Sequence, residues 1–183
     1  MKRRDFVKLS ALGSAAVLAK SCSTSSDKKQ VPILETSKKI KVVSTWISGI
    51  DANKEAIRIL SSNGSAITAV EKGLNVTESD PNNTSVGFGG MPDASGVVTL
   101  DASIMDDQYN CGSVTYLQNI EHPISVARKV MEETPHVMLS GKGAYDFAIE
   151  QGFTHKNLLT ESSLQKWQEW KKDNSFNLPH INH

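Results

Sequence analysis

Residues 96–117, GVVTLDASIMDDQYNCGSVTYL, restrict the fold more than any other stretch. Two β-rich runs flank Asp106-Asp107-Gln108, a link with turn chemistry, so the pattern predicts a β-hairpin. Consecutive antiparallel strands exclude an all-parallel, doubly wound sheet. The chain around the hairpin must therefore build a mixed or antiparallel sheet.

The flanking pattern supplies the other elements. Ile40, Val42 and Val43 lead into Ser44-Thr45-Trp46 as a first strand, broken at Gly49. Asp51 is placed as the N-cap of a helix with Ala56, Ile57 and Leu60 on one face, ended by Asn63-Gly64. Ser65 opens a second helix, with Ile67, Val70 and Leu74 inward and Glu71 and Lys72 outward. These two antiparallel helices are expected over one face of the sheet. After the turn Asp80-Pro81-Asn82-Asn83 comes a Gly-rich loop, SVGFGGMPDASG. Pro123 starts a helix through Val126, Val130 and Met131, and His136–Leu139 reads as a strand. A helix from Ala144 to Gln151 stops at Gly152, and a polar helix, 162–172, sets Leu164, Trp167 and Trp170 on one face. The order β, α, α, β, β, α, β, α, α predicts an α/β (α+β) sandwich, a mixed sheet with helices on both faces. So few strands leave a bare edge, which reads as part of a domain.

The start is set apart. MKRRDFVKLSALGSAAVLAKSC has a basic head and an apolar run from Leu9 to Ala19, too short to span a bilayer. Residues 1–22 are therefore read as a signal peptide. Arg3-Arg4 resembles the twin-arginine export signal, with an ordinary secretory signal as the alternative. Cys22 resembles a lipobox cysteine, although Lys20 departs from that pattern. Residues 23–38 are a Ser/Lys-rich tether expected to be disordered, and 39–183 form the folded part. Localisation is expected to be periplasmic or lipid-anchored to the envelope, with the membrane reached only through a lipid on Cys22. The 20 basic and 20 acidic side chains balance, which gives no electrostatic reason for a nucleic-acid partner.

The residues alone supply no complete catalytic set. GFGG at 87–90 lacks the Lys-Ser/Thr of a phosphate cradle and reads as a loop in close approach to something else. Asp101 and Asp106 fall on opposite faces of a strand, so they do not form an acid–base pair. Asp101 would need a partner of its own, and Asp106 suits the hairpin turn. His180 and His183 have a zinc-like spacing without a third ligand, and Cys111 has no adjacent base. Neither metal nor cofactor is expected.

Several blocks in order do carry a resemblance: STW at 44–46, SVGFGG with its Pro-Asp at 85–93, TLDASIMD at 99–106, GSV at 112–114, PISVARKVMEETPHVMLSGKGA at 123–144, QGF at 151–153 and the closing NH. Together they resemble the glycosylasparaginase family of N-terminal-nucleophile hydrolases, over residues 41–183. The resemblance implies the αββα sandwich of that class, of which this chain supplies the α-subunit half. It implies a precursor cut before a Thr whose hydroxyl becomes the nucleophile and whose freed amine is the base. An α-amine pKa near ~7.7–8 suits that role. Asn182-His183 matches the residues just before the scissile Asp-Thr, so the nucleophilic Thr is expected beyond His183 and the chain alone is expected to be inactive.

The implied substrate is the amide between asparagine and N-acetylglucosamine. The implied partner is a β subunit from the same precursor, with the αβ units paired as a dimer of heterodimers. Trp46 matches the tryptophan that borders the substrate pocket, and Ser85 a serine supporting the N-terminal Thr. The family commonly has Phe two residues after that Trp, where Ser48 stands here. That departure bears on substrate preference and keeps a plant-type asparaginase or isoaspartyl peptidase as the alternative, beside a non-catalytic truncated fragment.

Overall fold

The computed structural model describes residues 39–172; the leader (1–22), the tether (23–38), and His180 and His183 lie outside the described residues. The chain order is α1 (Gly49–Ser61), α2 (Ala66–Glu78), β1 (Leu100–Met105), β2 (Cys111–Leu117), α3 (Pro123–Glu133), β3 (Met138–Ser140), α4 (Gly141–Glu150) and α5 (Glu161–Lys172). The expected hairpin is present: β1 and β2 pair antiparallel, and β3 joins β2 in parallel, giving a mixed sheet in the order β1-β2-β3. Asp106 closes the turn. Its Oδ1 accepts the N–H groups of Gln108 (2.8 Å) and Asn110 (2.9 Å), and its Oδ2 accepts Asn110 Nδ2 (2.8 Å).

One face of the sheet is covered. Ile104, Val114 and Leu117 point inward onto Ile124, Val126, Ala127 and Val130 of α3 and Ala144 and Ala148 of α4. Pro123 occupies the first turn of α3, where its missing N–H leaves no bond unmade. On the opposite face Asp101, Ser103 and Met105 of β1 and Met138 and Ser140 of β3 are exposed. The register slips between Leu100 and Ala102, a bulge at which Tyr116 takes φ 52°. Asp101 is the residue that satisfies it: its Oδ1 accepts Thr115 Oγ1 (2.6 Å) and the Tyr116 N–H (2.8 Å), and those bonds hold its carboxyl below the usual carboxylate range.

Three expectations are corrected. Residues 40–46 form no strand; Val43, Trp46 and Ile47 are 92%, 78% and 86% exposed. A strand exists only through a ladder partner, and no described strand lies beside this segment. Secondly, α1 and α2 pack on each other and, through α2, on α3, rather than spreading over a sheet face. The buried residues of α2 are Ala69, Glu71, Gly73 and Glu78, while Val70 and Leu74 face out, because Glu71 and Glu78 have polar partners on and beside α3. Thirdly, the only buried residue of α5 is Ser163, whose Oγ donates to the Gly89 carbonyl; Trp167 is half-buried and Trp170 exposed.

Helix ends follow local chemistry. α1 starts at Gly49, earlier than the Asp51 N-cap expected; Asp51 sits in the first turn, where a carboxylate complements the helix dipole. It closes with Asn63 at φ 60° and Gly64 N–H on the Ile59 carbonyl (2.9 Å). Ser65 caps α2 as read, its Oγ accepting the Thr68 N–H (3.2 Å). Ser65→Ala is expected to cost about 1 kcal/mol in urea unfolding.

Candidate functional site

Both site residues read from the sequence lie on loops at one end of the α1–α2 pair. Trp46 belongs to the turn that leads into α1, where its carbonyl accepts the Gly49 N–H (2.9 Å) and Ile47's accepts Ile50 N–H (3.2 Å). Ser44 Oγ donates to Asn53 Oδ1 (2.5 Å) and ties the turn to the helix. The indole stands out into solvent. Ser48 takes the N-cap position without a side-chain cap bond.

Ser85 follows the Asp80–Asn83 turn. Asp80 Oδ1 accepts the Asn82 N–H (2.9 Å), and Asn83 Oδ1 accepts the Ser85 N–H (2.8 Å). The Ser85 side chain is exposed. The neighbours of the two residues meet: Ile47 and Ser48, beside Trp46, and Asn83, two before Ser85, line one depression of ≈ 460 Å³ with Asp51, Thr77 and Asp80. The sequence placed Trp46 at the end of a strand and Ser85 beside a turn, and it did not mark Asp51 and Asp80 as wall residues; the turn signal at Asp80-Pro81 was the local trace of the second wall.

The Gly-rich loop anchors that wall. Gly87 (φ 65°) and Gly89 (φ 100°) adopt left-handed conformations. A Cβ on Gly87 would lie 2.0 Å from the Glu78 carbonyl oxygen, and one on Gly89 2.5 Å from that of Pro81. Phe88 N–H bonds the Glu78 carbonyl (2.7 Å) and Gly89 N–H that of Leu158 (2.8 Å). The close approach expected of GFGG is therefore to backbone. Trp167 Nε1 donates to the Asp93 carbonyl (2.8 Å), packing α5 under the far end of the loop.

Behind α2 lies a second polar cluster that the sequence did not announce. Glu71 Oε1 accepts Ser125 Oγ (2.7 Å), and its Oε2 accepts Arg128 Nη1 (2.8 Å). Glu78 Oε1 accepts the Ile124 N–H at the start of α3 (3.1 Å), and its Oε2 meets Asn75 Nδ2 and His122 Nδ1, each at 3.1 Å. No buried side-chain polar atom among the described residues lacks a partner. These contacts position α2, and with it the Asp80 turn, against α3. Asp101 and Asp106 serve the bulge and the turn, and Cys111 is a half-buried free thiol at the start of β2.

Comparison with known proteins adds scale. A model of the asparaginase family matches residues 30–180. The chain is 49% identical over 179 residues to the N4-(β-N-acetylglucosaminyl)-L-asparaginase of Elizabethkingia miricola, covering 95% of this chain and 51% of that protein. It is 43% identical over 134 residues to the rat (Rattus norvegicus) protein of that name, covering 73% and 39%. To the plant-type L-asparaginase of Pyrococcus horikoshii it is 42% identical over 110 residues, covering 60% and 36%. The chain spans about half or less of the length of these relatives.

Proposed function

The chain belongs to the asparaginase family, and from that premise we propose that it is the α-subunit portion of a self-cleaving amidohydrolase acting on the bond between N-acetylglucosamine and asparagine. The observation that carries this reading is the 49% identity, over nearly the whole chain, to a protein named for that reaction. The plant-type relative is matched over a smaller share of the chain.

In this reading the nucleophilic Thr and its amine come from the part of the family protein that this chain does not cover. The amine takes the hydroxyl proton, the oxygen attacks the asparagine side-chain carbonyl, and the amino sugar leaves before water releases aspartate. Trp46 lines the substrate pocket with a broad apolar wall and one N–H donor, and Ser85 supports the nucleophile. The β subunit packs on the exposed sheet face of Asp101, Ser103, Met105 and Met138, completing an αββα sandwich, and two αβ units pair. In this reading residues 1–22 direct export, leaving the enzyme periplasmic or, through a lipid on Cys22, anchored to the bacterial envelope.

The test is expression of this chain within a family-length protein. Self-cleavage into two chains, seen by mass spectrometry, and hydrolysis of N-acetylglucosaminyl-asparagine faster than of free asparagine or isoaspartyl dipeptides is the expected result. Faster turnover of the unglycosylated substrates would instead assign a plant-type asparaginase. The 183-residue chain by itself is expected to hydrolyse none of them.

A further inference from the structure

We infer that the depression between the start of α1 and the end of α2 is a second carbohydrate subsite, holding sugars beyond the one attached to asparagine. The inference rests on the function proposed above and extends it to substrates with longer glycans. The first support is position: Ile47 and Ser48, lining residues, follow directly on Trp46, the residue proposed above to line the substrate pocket.

The second is chemistry. A pyranose presents an apolar C–H face and a rim of hydroxyls. The depression offers Ile47, Ile50 and Val76 for the face, and Asp51, Lys54, Asp80 and Asn83 for the rim. Carboxylate and amide oxygens accept from sugar hydroxyls, and the ammonium donates to them. Its ≈ 460 Å³ falls within the roughly 300–1,000 Å³ of small-ligand sites.

The third is preorganisation. The Ser44–Asn53 bond and the backbone bonds from Gly49 and Ile50 fix one wall, and the Asp80 and Asn83 side chains fix the turn opposite. A site already ordered before binding loses less entropy when the ligand arrives. Ser48 is the residue that keeps the mouth open. An aromatic ring at this position would fill part of the space, whereas a hydroxymethyl leaves it to the ligand.

The experiment uses the processed, family-length enzyme and two probes, N-acetylglucosaminyl-asparagine and chitobiosyl-asparagine. The readout is the ratio of kcat/KM for the longer probe to that for the shorter, in the wild type, Ser48→Phe and Lys54→Ala. Ser48 makes no side-chain capping bond, and among the described residues Lys54 is paired with Asp51 alone, on an exposed surface, so neither change removes a described contact that holds the fold. The ratio is expected to fall about tenfold in Ser48→Phe and about threefold in Lys54→Ala, through KM, as blocked or lost hydrogen bonds would give. Hydrolysis of both probes with one ratio in all three proteins overturns the subsite alone. Hydrolysis of neither probe by the wild type overturns the proposed function and the subsite with it.

Discussion

Gly112→Ala is expected to destabilise the protein by about 4 kcal/mol and to lower Tm by roughly 10 °C or more. Gly112 sits in β2 opposite Ile104, facing the covered side of the sheet. A Cβ there would lie 2.2 Å from the Ala127 carbonyl oxygen, 2.5 Å from the Met131 nitrogen and 2.8 Å from the Met131 Cβ. Two of those atoms belong to the backbone of α3, so no rotamer change relieves the contact. The helix must lift from the sheet, and Val126, Ala127 and Val130, each 0% exposed, lift with it. Gly143, in the first turn of α4, is the control: nothing lies within 4 Å of its Cβ position. Gly143→Ala is expected to be neutral or to stabilise by up to about 1 kcal/mol, because alanine is the better helix former. Thermal unfolding of the two variants side by side checks both. Equal midpoints would mean that α3 does not rest on Gly112.

The contrast between Gly112 and Gly143 shows what a sequence can and cannot carry. The hairpin, the Ser65 cap, the Pro123 start and the Gly152 stop were all legible, because each depends on residues within one turn of chain. GSV at 112–114 gave no local sign that α3 would lie against its glycine, since that contact joins separate elements. Burial of Glu71 was misread for a related reason. A charged residue beside Lys72 on a helix looks solvated, and the Ser125 and Arg128 that turn it inward stand 54 and 57 residues downstream. The strand expected at 40–46 had the right composition but no neighbour in the sheet to pair with. At the candidate site, Trp46 and Ser85 were each named from the family resemblance, one at a time. The depression their neighbours share arises only when the Asp80 turn reaches the start of α1, and no short window of sequence reports that meeting.

Glu71→Ala is expected to cost about 3 kcal/mol, because it removes a buried charge whose partners remain. Glu71 is 7% exposed, and its two oxygens bridge Ser125 and Arg128 across the α2–α3 interface. Arg128 keeps Glu132 (2.7 Å) and Ser125 keeps Asn75 (3.1 Å), which holds the loss below that of an orphaned buried ion. The exposed pair Lys54–Asp51, at 72% and 70% side-chain exposure, gives the comparison: Lys54→Ala is expected to change stability by no more than about 0.5 kcal/mol. Burial by itself would push the Glu71 pKa up. The hydrogen bonds from Ser125 and Arg128, with the positive charges of Lys72 and Arg128, outweigh burial and hold the carboxyl below its usual range. A carboxyl lowered on folding contributes stability that is fully present above its unfolded-state pKa and is lost as pH falls through the lower folded-state value. Glu71→Gln lacks this titration, so its stability deficit against the wild type should be constant at neutral pH and shrink as acidification passes below the ordinary carboxylate range. Urea unfolding of both proteins from neutral to strongly acidic pH measures the deficit, and one that stays constant or grows toward acid would show that the Glu71 charge does not hold α2 on α3.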